Sequence, residues 1–195
     1  MIAILDSGSN KVPSIERAVD EFMDFKTFPI LNFNPESTSD FIGIIISGAP
    51  LLITEMDMTP YLEKTKWIKE IDIPILGICF GHQLIGLNYG AFGSMMREDR
   101  DWQEIEVLFD DPLFNRMPNV TEMMEDHCEA ISIPPNFKLL ASSDSCINEA
   151  MKHNQKALYG VQFHPEVSGN MGRVLIENFI KICEHKANGH SDVER

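Results

Sequence analysis

The chain is poor in positive charge. Sixteen Lys and Arg stand against 30 Asp and Glu, a formal net charge of −14. That balance argues against a nucleic-acid partner, whose phosphates call for a basic face. It favours solubility and docking to a more basic partner, with most of the acidic groups read as solvated surface. Cysteine is scarce and scattered, at Cys79, Cys128, Cys146 and Cys183, with no C-x-x-C pair. This argues against a disulfide framework and a zinc site, so no metal is expected, and it fits a reducing compartment. No apolar run nears the roughly 18 residues that a membrane helix needs. The opening Met1-Ile2-Ala3-Ile4-Leu5 lacks the basic region and cleavage site of a signal peptide. The expectation is a cytoplasmic protein with no membrane attachment. Internal repeats and low-complexity tracts are also missing.

What is present suffices for one domain. The chain has 195 residues, 44% hydrophobic and 24% charged, enough for a core without staples. A single domain is expected over residues 1–185, with the polar 186–195 as a frayed tail. Residues 1–5 read as a buried strand, 25–29 as a second and 43–46 as a third. A helix starts near Pro13 with Ile15, Ala18, Val19 and Phe22 at helical spacing. Another opens at Thr59-Pro60 and runs to about Glu70, carrying Leu62, Trp67 and Ile68. Residues 32–40 read as a loop. Continuous apolar strands alternating with helices signal a parallel sheet covered on both faces.

After Gly90 the pattern changes to short β-like segments: about 105–109, 123–131, 138–142, 147–152 and 157–163. These read as mostly antiparallel strands extending the sheet, the last two joined by a hairpin at Asn154-Gln155. Residues 97–102 read as a charged link. A closing helix spans about 169–183. The fold class is therefore α/β: a mostly parallel central sheet, helices on both faces and an antiparallel β extension.

One stretch organises the rest. In Ile75-Leu76-Gly77-Ile78-Cys79-Phe80-Gly81 an apolar strand runs into a helix through a glycine-flanked turn. The same G-x-S-x-G geometry presents the serine of hydrolases, and here the apex is Cys79. A helix N-terminus favours a thiolate. The backbone N–H of Phe80 is placed to donate to an oxyanion. A lone cysteine is more often simply buried; the glycines and a suitable downstream histidine reverse that preference.

That histidine lies in Gly160-Val161-Gln162-Phe163-His164-Pro165-Glu166. His164 suits a base, and Glu166 suits the carboxylate that orients it. Alone, H-P-E is a common surface pattern. Ser47-Gly48-Ala49-Pro50 ends the third strand, and its small-residue turn can aim N–H groups at a pocket, completing an oxyanion site with Phe80. His82 reads as a packing residue one turn into the elbow helix. Active sites of such sheets form at the carboxyl ends of strands, where the 6–10 loop, the 47–50 turn and Cys79 all fall.

The two motifs, G-I-C-F-G-H-Q at 77–83 and G-V-Q-F-H-P-E at 160–166, resemble those of the class I, triad-type glutamine amidotransferases. The resemblance covers nearly the whole chain. It implies Cys79 as nucleophile, His164 as general base and Glu166 as its orienter, with hydrolysis of the glutamine amide through a γ-glutamyl thioester. It implies that Gly48, Ala49 and Phe80 line the oxyanion and substrate site and that Gln83 contacts bound L-glutamine. Within the family, the chain is similar to the stand-alone amidotransferase subunit of archaeal GMP synthases, through residues 73–77, 149–153 and 159–167. That similarity implies a separate synthetase (ATP-pyrophosphatase) subunit that uses ATP and Mg²⁺ to aminate XMP, with no cofactor in this chain. His127-x-Glu129 resembles an element at the synthetase interface.

The sequence departs from the family's pattern in places. Ala49 stands where a second glycine is usual. If the turn needs φ > 0 there, Ala costs about 1 kcal/mol or more. Glu129 replaces Asp, and Gly8-Ser9-Asn10 replaces Gly-Gly-Gln. An amidotransferase serving another acceptor, a γ-glutamyl hydrolase or peptidase on the same fold, and a non-enzymatic binding protein remain as rival readings.

Overall fold

The computed structural model describes residues 1–189. Three apolar runs form neighbouring parallel strands because each buries both faces. In β1 (Ile2–Asp6), Ile2 and Ile4 join one core while Ala3 and Leu5 join the other. After helix α1 (Val12–Asp20) comes β2 (Phe25–Pro29), a half-exposed strand at the sheet edge. In β3 (Gly43–Ile46), Ile45 points one way and Ile44 and Ile46 the other. Helix α2 (Thr59–Lys64) precedes β4 (Ile75–Ile78), which leads into helix α3 (Phe80–Asn88).

The second half supplies β5 (Gly93–Asp99), β6 (Trp102–Val107), β7 (Val120–Met124) and β8 (His127–Ile131). Then come β9 (Phe137–Ser142), β10 (Ala150–His153), β11 (Leu158–Val161) and helix α4 (Gly169–Ala187). Nine strands form one sheet in the order β2-β1-β3-β4-β11-β10-β9-β6-β7. From β2 through β11 the pairings are parallel; from β11 through β7 they are antiparallel. The antiparallel pair β5–β8 forms a separate small sheet. Helices α1 and α4 pack on one face, and α3 with Trp67 and Ile68 on the other. No helix among the described residues is long and apolar enough to cross a membrane.

Five sequence expectations need correction. The helix expected from Thr59 to Glu70 breaks at Thr65, and residues Lys66–Lys69 form a 3₁₀ turn. Thr65 Oγ1 donates to the Tyr61 carbonyl at 2.7 Å and accepts from Asn88 Nδ2 at 2.9 Å. A buried hydroxyl bonding back four residues competes with the helix ladder and closes it. The loop expected over 32–40 contains the 3₁₀ segment Pro35–Asp40. The charged link at 97–102 is strand at both ends, in β5 and β6. The segment 123–131 is two strands in different sheets, broken at Glu125 and Asp126. The closing helix expected to end near residue 183 runs on to Ala187 in α4. Of the expected tail, residues 190–195 lie outside the described part.

The final hairpin is as expected, with β10 and β11 antiparallel across residues 154–157. Its second strand, β11, also pairs parallel with β4, opposing Gly160 to Gly77 and Val161 to Ile78. This register brings the two sequence motifs together at the carboxyl ends of adjacent central strands.

Candidate active site

The elbow is built by close approach. A Cβ on Gly81 would stand 2.4 Å from the Ile46 carbonyl oxygen, and one on Gly77 would stand 2.5 Å from the Gly81 backbone. Only glycine lets α3 start so close to β3 and β4. Between them Cys79 takes φ 50°, ψ −105°, outside the ordinary regions for an L-residue. Its N–H donates to Val161 O at 2.8 Å, which ties the elbow to β11. Cys79 is 7% exposed, at the wall of a cleft of about 560 Å³.

His164 also lines this cleft. Its Nδ1 donates to Glu166 Oε1 at 2.8 Å, and its ring lies beside the Cys79 side chain, both flanking Gly48. Burial alone would lower the His164 pKa. The bonds to Cys79 and Glu166, and their charge, outweigh burial and hold it up at about 10. The imidazolium is thus the favoured form beside the Cys79 sulfur at neutral pH. The Ser168 hydroxyl donates to His164 O at 2.7 Å, and His164 N donates to Met124 O at 2.8 Å, so its backbone is fixed on both sides.

The 47–50 turn closes over this pair. A Cβ on Gly48 would lie 3.2 Å from His164 Cε1 and 3.6 Å from Cys79 Cβ. Ser47 Oγ accepts from Ser7 N and donates to Gly48 O, each at 2.9 Å, which pins the turn to the loop after β1. Ala49 lines the cleft and is not among the residues with positive φ, so the departure from glycine carries no backbone strain. The Phe80 side chain does not face the cleft. It is buried, edge-on to Tyr61 with ring centroids 5.3 Å apart, so only its backbone can serve there.

Gln83 lines the cleft, but its amide nitrogen is already bonded, to Glu129 O at 3.0 Å and Gln162 Oε1 at 3.2 Å. Gln162 Nε2 in turn donates to Cys79 Sγ at 3.6 Å. The motif 160–166 contains Gln162, yet nothing in the sequence pattern singled it out. His127 and Glu129 line the same cleft with buried side chains. The Glu129 carboxylate accepts from Ile53 N at 2.6 Å, Thr54 N at 3.0 Å and Thr54 Oγ1 at 2.5 Å. Its visible role is internal, holding the segment beyond the 47–50 turn. His82 is buried under Gly160, and burial drives its pKa down to about 3.

The rim adds charges that the sequence reading missed. Lys11 is paired with Asp126, and Arg100 Nε lies 3.6 Å from Asp126 Oδ1. Gly8, Ser9 and Asn10 complete this side of the cleft.

A strand–elbow–helix cysteine beside a carboxylate-bound histidine, on a sheet of this order, is the arrangement that the resemblance to glutamine amidotransferases implies. The class-I glutamine amidotransferase family matches residues 3–183, and the chain belongs to that family. Among its relatives, a Pyrococcus abyssi protein named as a subunit of a glutamine-hydrolysing GMP synthase is 38% identical over 191 residues, covering 94% of this chain and 98% of the relative. The protein of the same name from Methanocaldococcus jannaschii is 36% identical, covering 95% and 99%. A crystal structure of a candidate GMP synthase subunit from Thermoplasma acidophilum superposes with a TM-score of 0.88 at 29% identity, over 96% of this chain and 95% of that one. A glutamine amidotransferase from Thermotoga maritima, at 19% identity and TM-score 0.72 over 95% of this chain and 84% of that one, shares the fold.

Proposed function

We propose that this chain hydrolyses the side-chain amide of L-glutamine and passes the ammonia to a separate synthetase subunit that aminates XMP to GMP. The observation that carries the chemistry is His164, held by Glu166 at 2.8 Å and set beside Cys79 at the cleft wall. The end-to-end similarity to proteins named as subunits of glutamine-hydrolysing GMP synthases supports the acceptor.

In this reading the Cys79 sulfur attacks the γ-carbonyl carbon. The resulting oxyanion is met by N–H groups of Phe80 and the Gly48–Ala49 turn. His164 donates its proton to the departing nitrogen, so ammonia leaves and a γ-glutamyl thioester remains. A water molecule then gives its proton to His164 and attacks the thioester carbon. Glutamate departs, and the sulfur recovers its original state. Glu166 keeps the imidazole in one tautomer and stabilises its charged form. Lys11, Arg100 and Asp126 give the rim charges of both signs, which suits a zwitterionic amino acid. ATP and Mg²⁺ belong to the partner, and the hydrolysis uses no cofactor in this chain.

The test is ammonia release from glutamine by the purified chain, with and without a GMP synthetase subunit, ATP, Mg²⁺ and XMP. Stimulation by the full mixture with GMP formed supports both halves of the proposal. Hydrolysis indifferent to the mixture would retain the chemistry and remove the acceptor. Cys79→Ala should abolish ammonia release with an unchanged circular dichroism spectrum; residual full activity would overturn the nucleophile assignment.

A further inference from the structure

Behind the cleft wall, Glu125, His127 and Glu149 converge where β7 turns into β8. One candidate ligand atom from each lies within 4.8 Å of the other two. The residues are 1%, 7% and 0% exposed. Among the described residues no N–H or hydroxyl donor reaches either oxygen of Glu125, Oε2 of Glu149 or Nε2 of His127, and the two carboxyl groups face one another. His127 Nδ1 sits 3.0 Å from the Glu129 carbonyl oxygen, which only accepts, so Nδ1 carries the ring proton. Nε2 therefore presents a lone pair, and it faces Glu125 Oε2 at 3.0 Å. With Glu125 ionised, acceptor meets acceptor. Among the described residues no Lys or Arg forms an ion pair with Glu125 or Glu149, and the field of Asp99 adds to the negative charge.

Such a cluster needs positive charge at its centre. A proton bridges one pair of these atoms at a time; one divalent cation serves all three. The surroundings match a metal's second shell. The Nδ1–H of His127 is bonded to a carbonyl, and Glu149 Oε1 accepts from Ser143 Oγ at 2.6 Å, leaving Oε2 free. We propose that Glu125, His127 and Glu149 form a divalent-cation site of the zinc class, with one imidazole and two carboxylates as ligands.

The imidazole favours zinc over magnesium or calcium, which prefer all-oxygen sets. His127 lines the cleft, which gives the ion a path from solvent. Scattered cysteines argue against a thiolate zinc site; this site uses no thiolate and draws on ligands from separate strands. Met124, one residue before Glu125, accepts from His164 N, so an ion here would brace the strand end that holds the candidate base. The proposal stands independently of the glutamine reading.

The test uses the full-length chain as Cys79→Ala, so that zinc cannot sit between that sulfur and His164. The protein is stripped with chelator and titrated with Zn²⁺ against a chromophoric competitor, and in parallel with Co²⁺ by visible absorption. The expected result is one equivalent bound, with cobalt bands free of sulfur-to-metal charge transfer. Glu125→Gln and Glu149→Gln should each weaken zinc binding by about tenfold or more, with unchanged circular dichroism. Absence of stoichiometric binding, a sulfur charge-transfer band, or affinity unchanged in folded variants would each overturn the site. The cobalt spectrum decides the ligand type even where a variant does not fold.

Discussion

Replacing Glu166 by Gln tests the electrostatic core of the candidate site. The carboxylate accepts from His164 Nδ1 at 2.8 Å, and both side chains are buried, so solvent screens the pair little. Gln can still offer an oxygen to Nδ1, but it has no charge. A hydrogen bond to a charged group contributes about 1.5–3 kcal/mol, and a neutral one about 1 kcal/mol. The difference, about 1–2 kcal/mol, corresponds to a fall of about one pH unit or more in the His164 pKa. That pKa stands at about 10 in the native site, so the variant's imidazole should titrate measurably lower. Carbon-13 and proton NMR of the His164 ring, followed from about pH 5 to the alkaline limit of the fold, reads the change. If the same ~1–2 kcal/mol stabilises the imidazolium during turnover, ammonia release should slow by about five- to thirtyfold. A His164 titration and a rate both unmoved by the substitution would refute the orienting role of Glu166. A wild-type His164 titrating near the ordinary value of about 6.5 would refute the electrostatic argument itself.

Gly81→Ala should destabilise the fold, because its Cβ would stand 2.4 Å from a backbone oxygen of β3 that cannot swing away. The cost expected from overpacking is about 1–3 kcal/mol or more, and an unchanged melting temperature would contradict the packed elbow. Glu129→Ala removes three hydrogen bonds from the 53–54 segment and should cost about 1–3 kcal/mol in urea unfolding, with faster proteolysis around residue 53. Retention of wild-type proteolytic resistance would count against the clamp. In the metal-free chain, burial raises Glu125 to about 8 and Glu149 to about 9 from 4.5, so the folded state holds protons that the unfolded state has released. Stability should therefore fall as pH rises from about 4.5 through 9, joined by His164 between 6.5 and about 10; a melting temperature that rises across this window in chelator would contradict both assignments.

The parallel half of the fold was legible because its strands are buried on both faces. Residues 2–5, 43–46 and 75–78 are apolar without alternation, and the structure distributes them to two cores. The elbow was legible for a related reason: glycine at 77 and 81 is required by backbone contacts, so the spacing itself carries the geometry. Strand β5 gave no comparable sign. Most of its residues are half-buried or exposed, β8 is the one strand it pairs with among the described residues, and Arg97 and Glu98 break any apolar rhythm. The split between β7 and β8 was hidden because the two strands read as one alternating segment. Only their different partners, β6 and β5, separate them.

The polar interior was the least legible layer, and it connects the site's parts. Gln83 Nε2 donates to both Glu129 O and Gln162 Oε1, while Gln162 Nε2 reaches Cys79 Sγ. The same Glu129 holds residues 53–54 through its side chain, and its carbonyl also accepts from His127. A displacement of the 53–54 segment would therefore pull on a residue that is two hydrogen-bonded side chains away from the thiol. Buried polar networks of this kind are sensitive to loss of any single member, since each unpaired atom stays away from water. The extra methylene of Glu129 relative to Asp is consistent with this arrangement, because the carboxylate must span from β8 to the backbone at residue 53. Residues of low helical or strand periodicity, such as Gln83, Glu129 and Gln162, acquire their roles only when three elements meet. A pattern read along one chain segment has no means of registering that.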